Sequence, residues 1–108
     1  MATKSYNFTK KDEINSVSAT PLQKAKGEVI TVTGAMITER ADENGEVREV
    51  ALVSTLEHGM MSGISATAIR SLDLIIDYMT DEEADDVQLK IKAETSNAGR
   101  EFITLEIV

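Results

Sequence analysis

The feature that most restricts the fold is the run from Ile64 to the C-terminus, where one helical period gives way to two periods of strand. Ile69, Leu72, Ile76 and Met79 recur at i, i+3, i+7 and i+10, which puts a single apolar stripe on an amphipathic helix over Ile64–Met79. Ser65 suits the N-cap, its hydroxyl able to accept a backbone N–H, and Ile64 and Ile69 hold the two positions of a hydrophobic staple. The acidic run Asp81–Asp86 is expected to end the helix, because negative charge is unfavourable at the carbonyl end of the helix dipole. Val87–Glu94 and Arg100–Val108 then alternate as two strands around the loop Thr95–Gly99. Pairing Glu94 with Arg100 sets Val87, Leu89 and Ile91 on the same face as Ile103, Leu105 and Ile107. That register places Lys92 opposite Phe102, and Lys90 opposite Thr104, on the outer face.

Upstream, Gly27–Thr38 is rich in Val, Ile and Thr, which fit a pleated surface. Gly34 interrupts it, the mark of a bulge or a bend at a barrel corner. Ala41–Glu46 contains Asn44-Gly45, a strong hairpin signal, and Val47–Leu56 returns as a second strand whose two faces are both partly apolar. Glu57–Gly63 reads as a loop, a short third strand, or one after the other. The order of strands and helix predicts a mainly β fold: an OB-fold-like five-stranded barrel with one helix between strands 3 and 4. The alternative is an α+β antiparallel sheet with one helix on one side.

A chain of 108 residues is enough for one domain with its own core. It divides into a polar, basic stretch over 1–26, read as an arm or short strand, and a β-rich core over 27–108. In the first stretch Ser5–Thr9 alternates with Tyr6 and Phe8 on one side, Asp12–Thr20 has too few apolar residues for a helix, and Ser16–Leu22 is a loop closed at Pro21. Charge divides at the same place. Met1–Lys26 carries five lysines against two acids, whereas Gly27–Val108 carries six basic residues against seventeen acidic ones. The acidic body repels nucleic acid at long range while a basic patch on it can still bind.

Catalysis has no constellation to work with. The chain has no Cys and one His, so neither a zinc site of ordinary spacing nor a thiol nucleophile can be built, and no disulfide framework exists. The one imidazole, His58 beside Gly59, reads as an exposed loop residue. No Gly-x-Ser-x-Gly elbow or phosphate loop occurs, and the run Asp81–Asp86 lacks the glycine and spacing of an EF-hand. We expect a non-enzyme with no catalytic residues, no metal and no cofactor. No apolar run reaches the length of a membrane span, and Met1–Lys11 is too polar for a signal peptide, so a cytoplasmic protein without a membrane partner is expected.

Binding a nucleic acid needs basic side chains along a track and flat rings on which bases can stack. The rings available are Tyr6, Phe8, Tyr78 and Phe102. The nucleic-acid-binding set read from the sequence is Tyr6, Phe8, Lys10, Lys11, Lys24, Lys26, Lys90, Lys92, Arg100 and Phe102. Each has an ordinary structural alternative: Tyr6 and Phe8 as plugs for a barrel end, Tyr78 as packing at the helix terminus, the lysines as solvated charges on a strand.

Several stretches carry a likeness to a known family. They are GEVITVTGAMI, an acidic turn, REVALVST, the helix opening Gly63-Ile64-Ser65-Ala66-Thr67 with Ser71–Ile76, and the closing VQLKIKAETSNAGREFITLEIV. Over Gly27–Val108 the chain resembles the phage single-stranded DNA-binding proteins, especially those of protein-primed Bacillus-type phages. The resemblance implies coating of exposed single strands without sequence preference during phage DNA replication or recombination. It also implies self-assembly into oligomers or arrays, replication or recombination proteins as partners, and the host cell cytoplasm as the location. That family contacts DNA through tyrosines in its first strands and the following loop. Here Ile37, Glu39, Arg40, Met60 and Met61 stand in that region with no Tyr, which shifts the expected surface toward Phe102 and the N-terminal aromatics. The competing expectation is an acidic protein-binding module that imitates DNA's charge, carried by Asp81–Asp86 with Glu43, Glu46 and Glu49. A third is an assembly protein whose sheet edge pairs with a partner.

Overall fold

The computed structural model describes residues 4–41 and 43–108. The parts of the expected N-terminal arm and of the Ala41–Glu46 turn that fall on Met1–Thr3 and Asp42 lie outside the described residues. Among the described residues seven strands form one sheet: β1 (Lys4–Tyr6), β2 (Thr20–Pro21), β3 (Val29–Ala41), β4 (Val47–Thr55), β5 (Gly59–Gly63), β6 (Val87–Thr95) and β7 (Glu101–Ile107). Two helices among the described residues accompany them, α1 (Lys10–Asn15) and α2 (Ala66–Glu82). Single 3-10 turns occupy Ser16–Ser18 and Leu22–Ala25.

The sheet runs in the order β2-β5-β4-β3-β6-β7, with β1 also paired to β3. Every pairing is antiparallel except β2 with β5, so the sheet is mixed. It is an open half-barrel. This corrects the expected closed five-stranded barrel, and the all-antiparallel alternative, on two counts. The edge strands do not pair, since β2 lies parallel along the outer edge of β5 and β7 stays open, and among the described residues there are two helices where one is expected. The start of α2 stands in the unclosed gap, where the Ser65 and Thr67 hydroxyls donate to the Ile103 carbonyl at 3.0 and 2.7 Å.

Strand β3 organises the sheet because it changes partner along its length. Val29–Val32 pairs with β6, and from Val32 the strand runs along β4 to Ala41, with a register shift between Val32 and Gly34. The glycine is required there for space. A Cβ on Gly34 would collide with the backbone carbonyl of Asn7, where the N-terminal segment crosses the strand.

Alternation then decides burial. Ile30, Val32, Ala35 and Ile37 of β3, Ala51 and Val53 of β4, and Leu89 and Ile91 of β6 face inward against Leu72, Ile75, Ile76 and Met79 of α2. The expected helical stripe is in place, with Ile69 at its partly buried end. The helix nevertheless continues through Asp81 and Glu82. It stops where Glu83 adopts a left-handed conformation (φ 49°) and the Ala84 N–H returns to the Met79 carbonyl at 3.0 Å.

Helix α1, where too few apolar residues predict no helix, has no apolar stripe: none of its residues is buried. A capping box holds it instead. The Thr9 hydroxyl accepts from the Asp12 N–H at 3.2 Å, and the Asp12 carboxylate accepts from the Thr9 N–H at 3.0 Å. The C-terminal hairpin keeps the expected parity but sits two residues further along, with Glu94 opposite Phe102 and Thr95 opposite Glu101. Lys92 therefore faces Thr104, and Lys90 faces Glu106, in place of the partners expected. The loop closes through the Ser96 N–H to the Arg100 carbonyl (2.8 Å) and the Gly99 N–H to the Ser96 carbonyl (2.9 Å), with Gly99 at φ 82°.

Candidate nucleic-acid interface

Where a closed barrel would carry a β5–β7 ladder, this fold has a cleft of about 710 Å³. Its walls come from Pro21 and Leu22 on one side, Gly63 and Ile64 at the entry to α2, and Arg100 and Phe102 at the start of β7. Leu22 is fully buried and forms part of the floor. Gly63 lies directly against it, so that a Cβ there would press on the Leu22 Cδ1 at 2.8 Å. The cleft is mostly apolar, with charge at its rim. Glu101, the one carboxylate among its lining residues, accepts from Gln23 Nε2 at 2.6 Å and pairs with Lys26 at 3.5 Å. Arg100 is exposed on the loop and Lys24 is exposed on the turn below. A half-buried ring beside an exposed guanidinium can accept a base on its face and a phosphate at its edge.

The fold thus brings three of the ten residues read from the sequence to one opening: Arg100 and Phe102 line it, and Lys26 reaches its rim through Glu101, while Lys24 is exposed outside the lining. It disperses the others. The Tyr6 hydroxyl donates to the Ala84 carbonyl at 2.8 Å and the ring packs on the main core. Phe8 covers a second apolar cluster made by Met36, Val50 and Leu52. Lys10 pairs with Glu13 at 3.5 Å and Lys11 is exposed on α1. Lys90 and Lys92 are exposed on the outer face of β6. Lys92 hydrogen-bonds Glu106 at 3.0 Å, which raises the lysine's pKa and offsets its charge locally. Tyr78 is partly exposed on α2.

Sequence reasoning missed Ile64, Arg48 and Arg70. Ile64 is 72 % exposed, and beyond it lies a second cleft of about 720 Å³ lined by Arg48, Arg70 and Lys4 among others. Their signal was faint, since Arg48 and Arg70 come from a strand and a helix that only the fold brings together. Lys4 is committed: it bridges Asp73 at 2.8 Å and Asp77 at 2.7 Å, and those hydrogen bonds hold its pKa above the ordinary lysine value. His58 sits on the β4–β5 loop against Glu28 at 3.0 Å. Among the described residues no group of three or more acidic or His side chains is placed to hold a metal ion. No helix among them is long and apolar enough to cross a membrane.

A family model described as Phage Single-stranded DNA-binding protein matches residues 6–108. No curated protein and no solved structure matches the chain.

Proposed function

The chain belongs to the phage single-stranded DNA-binding proteins, and on that premise we propose that it coats transiently exposed single strands without sequence preference during phage replication or recombination. The family is one of binding proteins, so the activity is occupancy of DNA and not catalysis. The observation that carries the reading is the match over residues 6–108, which takes in both walls of the seam cleft. In our reading Phe102 offers a stacking face, and Arg100, Lys24 and Lys26 meet phosphates. Such contacts release counterions, so affinity falls as salt rises. We place the protein in the host cytoplasm, acting as a homo-oligomer alongside replication or recombination proteins.

A second reading has one observation in its favour. The net charge of −8 suits an acidic module that occupies a DNA-binding protein's groove. Fluorescence anisotropy of labelled oligo-dT at low and moderate salt separates the two. Saturable binding that weakens with salt, with little affinity for duplex, supports coating. No binding at low salt overturns it and favours the acidic module. Sedimentation of the protein with and without oligo-dT tests self-assembly, and a strictly monomeric, non-cooperative binder would remove the oligomer from the proposal.

A further inference from the structure

The seam cleft does not end at Ile64. The same side chain also borders the second cleft, and a third of about 290 Å³ lined by Arg40, Arg48 and Val50. Three clefts therefore meet at one exposed apolar residue. The chain has four arginines, and every one of them lines this series: Arg100 the first cleft, Arg70 the second, Arg48 the second and third, and Arg40 the third.

The distribution is unexpected on so acidic a chain. Among the described residues the three linings together hold five basic residues (Lys4, Arg40, Arg48, Arg70, Arg100) against three acids, and Arg48 also pairs with Glu46 at 3.3 Å. Two of those acids are already engaged, Asp73 by Lys4 and Glu101 by Gln23 and Lys26. Glu49 is the third. Arg40 is fixed, donating to the Ser16 hydroxyl at 2.6 Å and to the Glu13 carbonyl at 3.3 Å. Arg70 is exposed and makes no ion pair with any other described residue. A planar guanidinium forks onto phosphate and stacks on a base, which an ammonium does less well. Guanidinium groups lining clefts that share an exposed aliphatic side chain suit a sugar-phosphate backbone with unstacked bases.

We propose that a bound single strand leaves the seam cleft over Ile64 and continues along Arg70 and Arg48, so that its path crosses the start of α2. The outer face of β6, with Lys90 and Lys92, is then off the path. This proposal rests on the single-stranded DNA reading above and adds the route to it.

The chain contains no Trp, so Ile64→Trp supplies a single fluorescent reporter at the junction. Leu56→Trp is the control, because Leu56 is 70 % exposed at the opposite end of the β4–β5 hairpin. Oligo-dT is expected to quench Ile64→Trp with the same midpoint as the anisotropy titration and to leave Leu56→Trp unchanged. Arg70→Ala, at an exposed position, should bind oligo-dT several-fold more weakly. Its log-affinity against log-salt slope should be shallower by about 0.7, the value of one phosphate contact on a single strand. Quenching at Leu56→Trp with none at Ile64→Trp, or an Arg70→Ala slope equal to the wild type's, overturns the path while DNA binding itself stands. A wild-type protein that fails to bind oligo-dT overturns the underlying function and the path with it.

Discussion

Two apolar clusters lie on opposite faces of the same two strands, and they are built differently. On the inner face Ala35, Ile37, Ala51 and Val53 join a large cluster sealed by α2. On the outer face Met36, Val50 and Leu52 form a small one, against which Phe8 packs. Beside it the guanidinium of Arg40 holds Glu13 and Ser16 by their carbonyls. The inner cluster is covered by a long helix whose own period guarantees the fit. The outer one depends on a short polar segment that brings a single ring. The difference teaches that the N-terminal segment is the second lid of the sheet, held by few contacts where the first is held by many.

Truncating one leucine in each cluster tests that contrast most strongly. Both Leu72 and Leu52 are fully buried. Leu72→Ala should cost about 4 kcal/mol, because the densely packed inner site cannot collapse around the cavity. Leu52→Ala should cost about 2–3 kcal/mol, because Phe8 and its segment can settle into the space. Urea unfolding of both variants gives the comparison, and equal costs would mean that the outer lid is as rigid as α2.

The next effect concerns the crossing point. Gly34→Ala drives a methyl group into the Asn7 carbonyl, so the segment must lift from β3, at a cost of about 2 kcal/mol. Amide exchange should rise over β1 and leave β6 and β7 protected. Tyr6→Phe is smaller, about 1 kcal/mol, for the donor lost to the Ala84 carbonyl.

The smallest effect is one of pH. The pKa of Lys4 is raised in the folded state by its hydrogen bonds to Asp73 and Asp77. Its contribution is therefore complete below the ordinary lysine value of 10.5 and is lost as pH rises through the higher folded value. All three side chains are about a third exposed or more, so solvent screens the pair and the effect is slight. Lys4→Met should show a flatter alkaline limb than the wild type in urea titrations between neutral and strongly alkaline pH.

This contrast explains which parts of the fold were legible. The α2 stripe and the inner faces of β6 and β7 could be read because each buries one face only. Val47–Leu56 resisted an inward face because both of its faces are buried, Ala51 and Val53 in one cluster and Val50 and Leu52 in the other. Helix α1 was invisible to periodicity because it buries nothing and lives on its cap. The hairpin parity was legible, but a slip of two residues keeps the same face inward, so alternation could not choose between registers. Barrel closure depends on whether β5 meets β7 across the intervening helix, and no local pattern encodes that.

For the site, residue type pointed to Phe102 and Arg100 but could not show that Tyr6 and Phe8 are occupied in packing. Ile64, read from the sequence as half of a helix staple, is also an exposed residue at which three clefts meet.

Strand β3 has partners from the beginning, the middle and the end of the chain, in β1, β4 and β6. On a ribosome, β4 and β5 emerge soon after it and can pair at once, whereas the Val29–Val32 half must wait for β6. At about 5–20 residues per second that interval lasts some seconds. During it the Val29–Val32 half meets the β4 side through Val32 opposite Thr55 and the Leu56 N–H to the Thr31 carbonyl at 3.0 Å, but its β6-facing edge stays open to capture by neighbouring nascent copies. Productive folding is therefore timed by the arrival of the C-terminal hairpin, and a chain truncated before Val87 would be expected to associate through that waiting edge and not to fold.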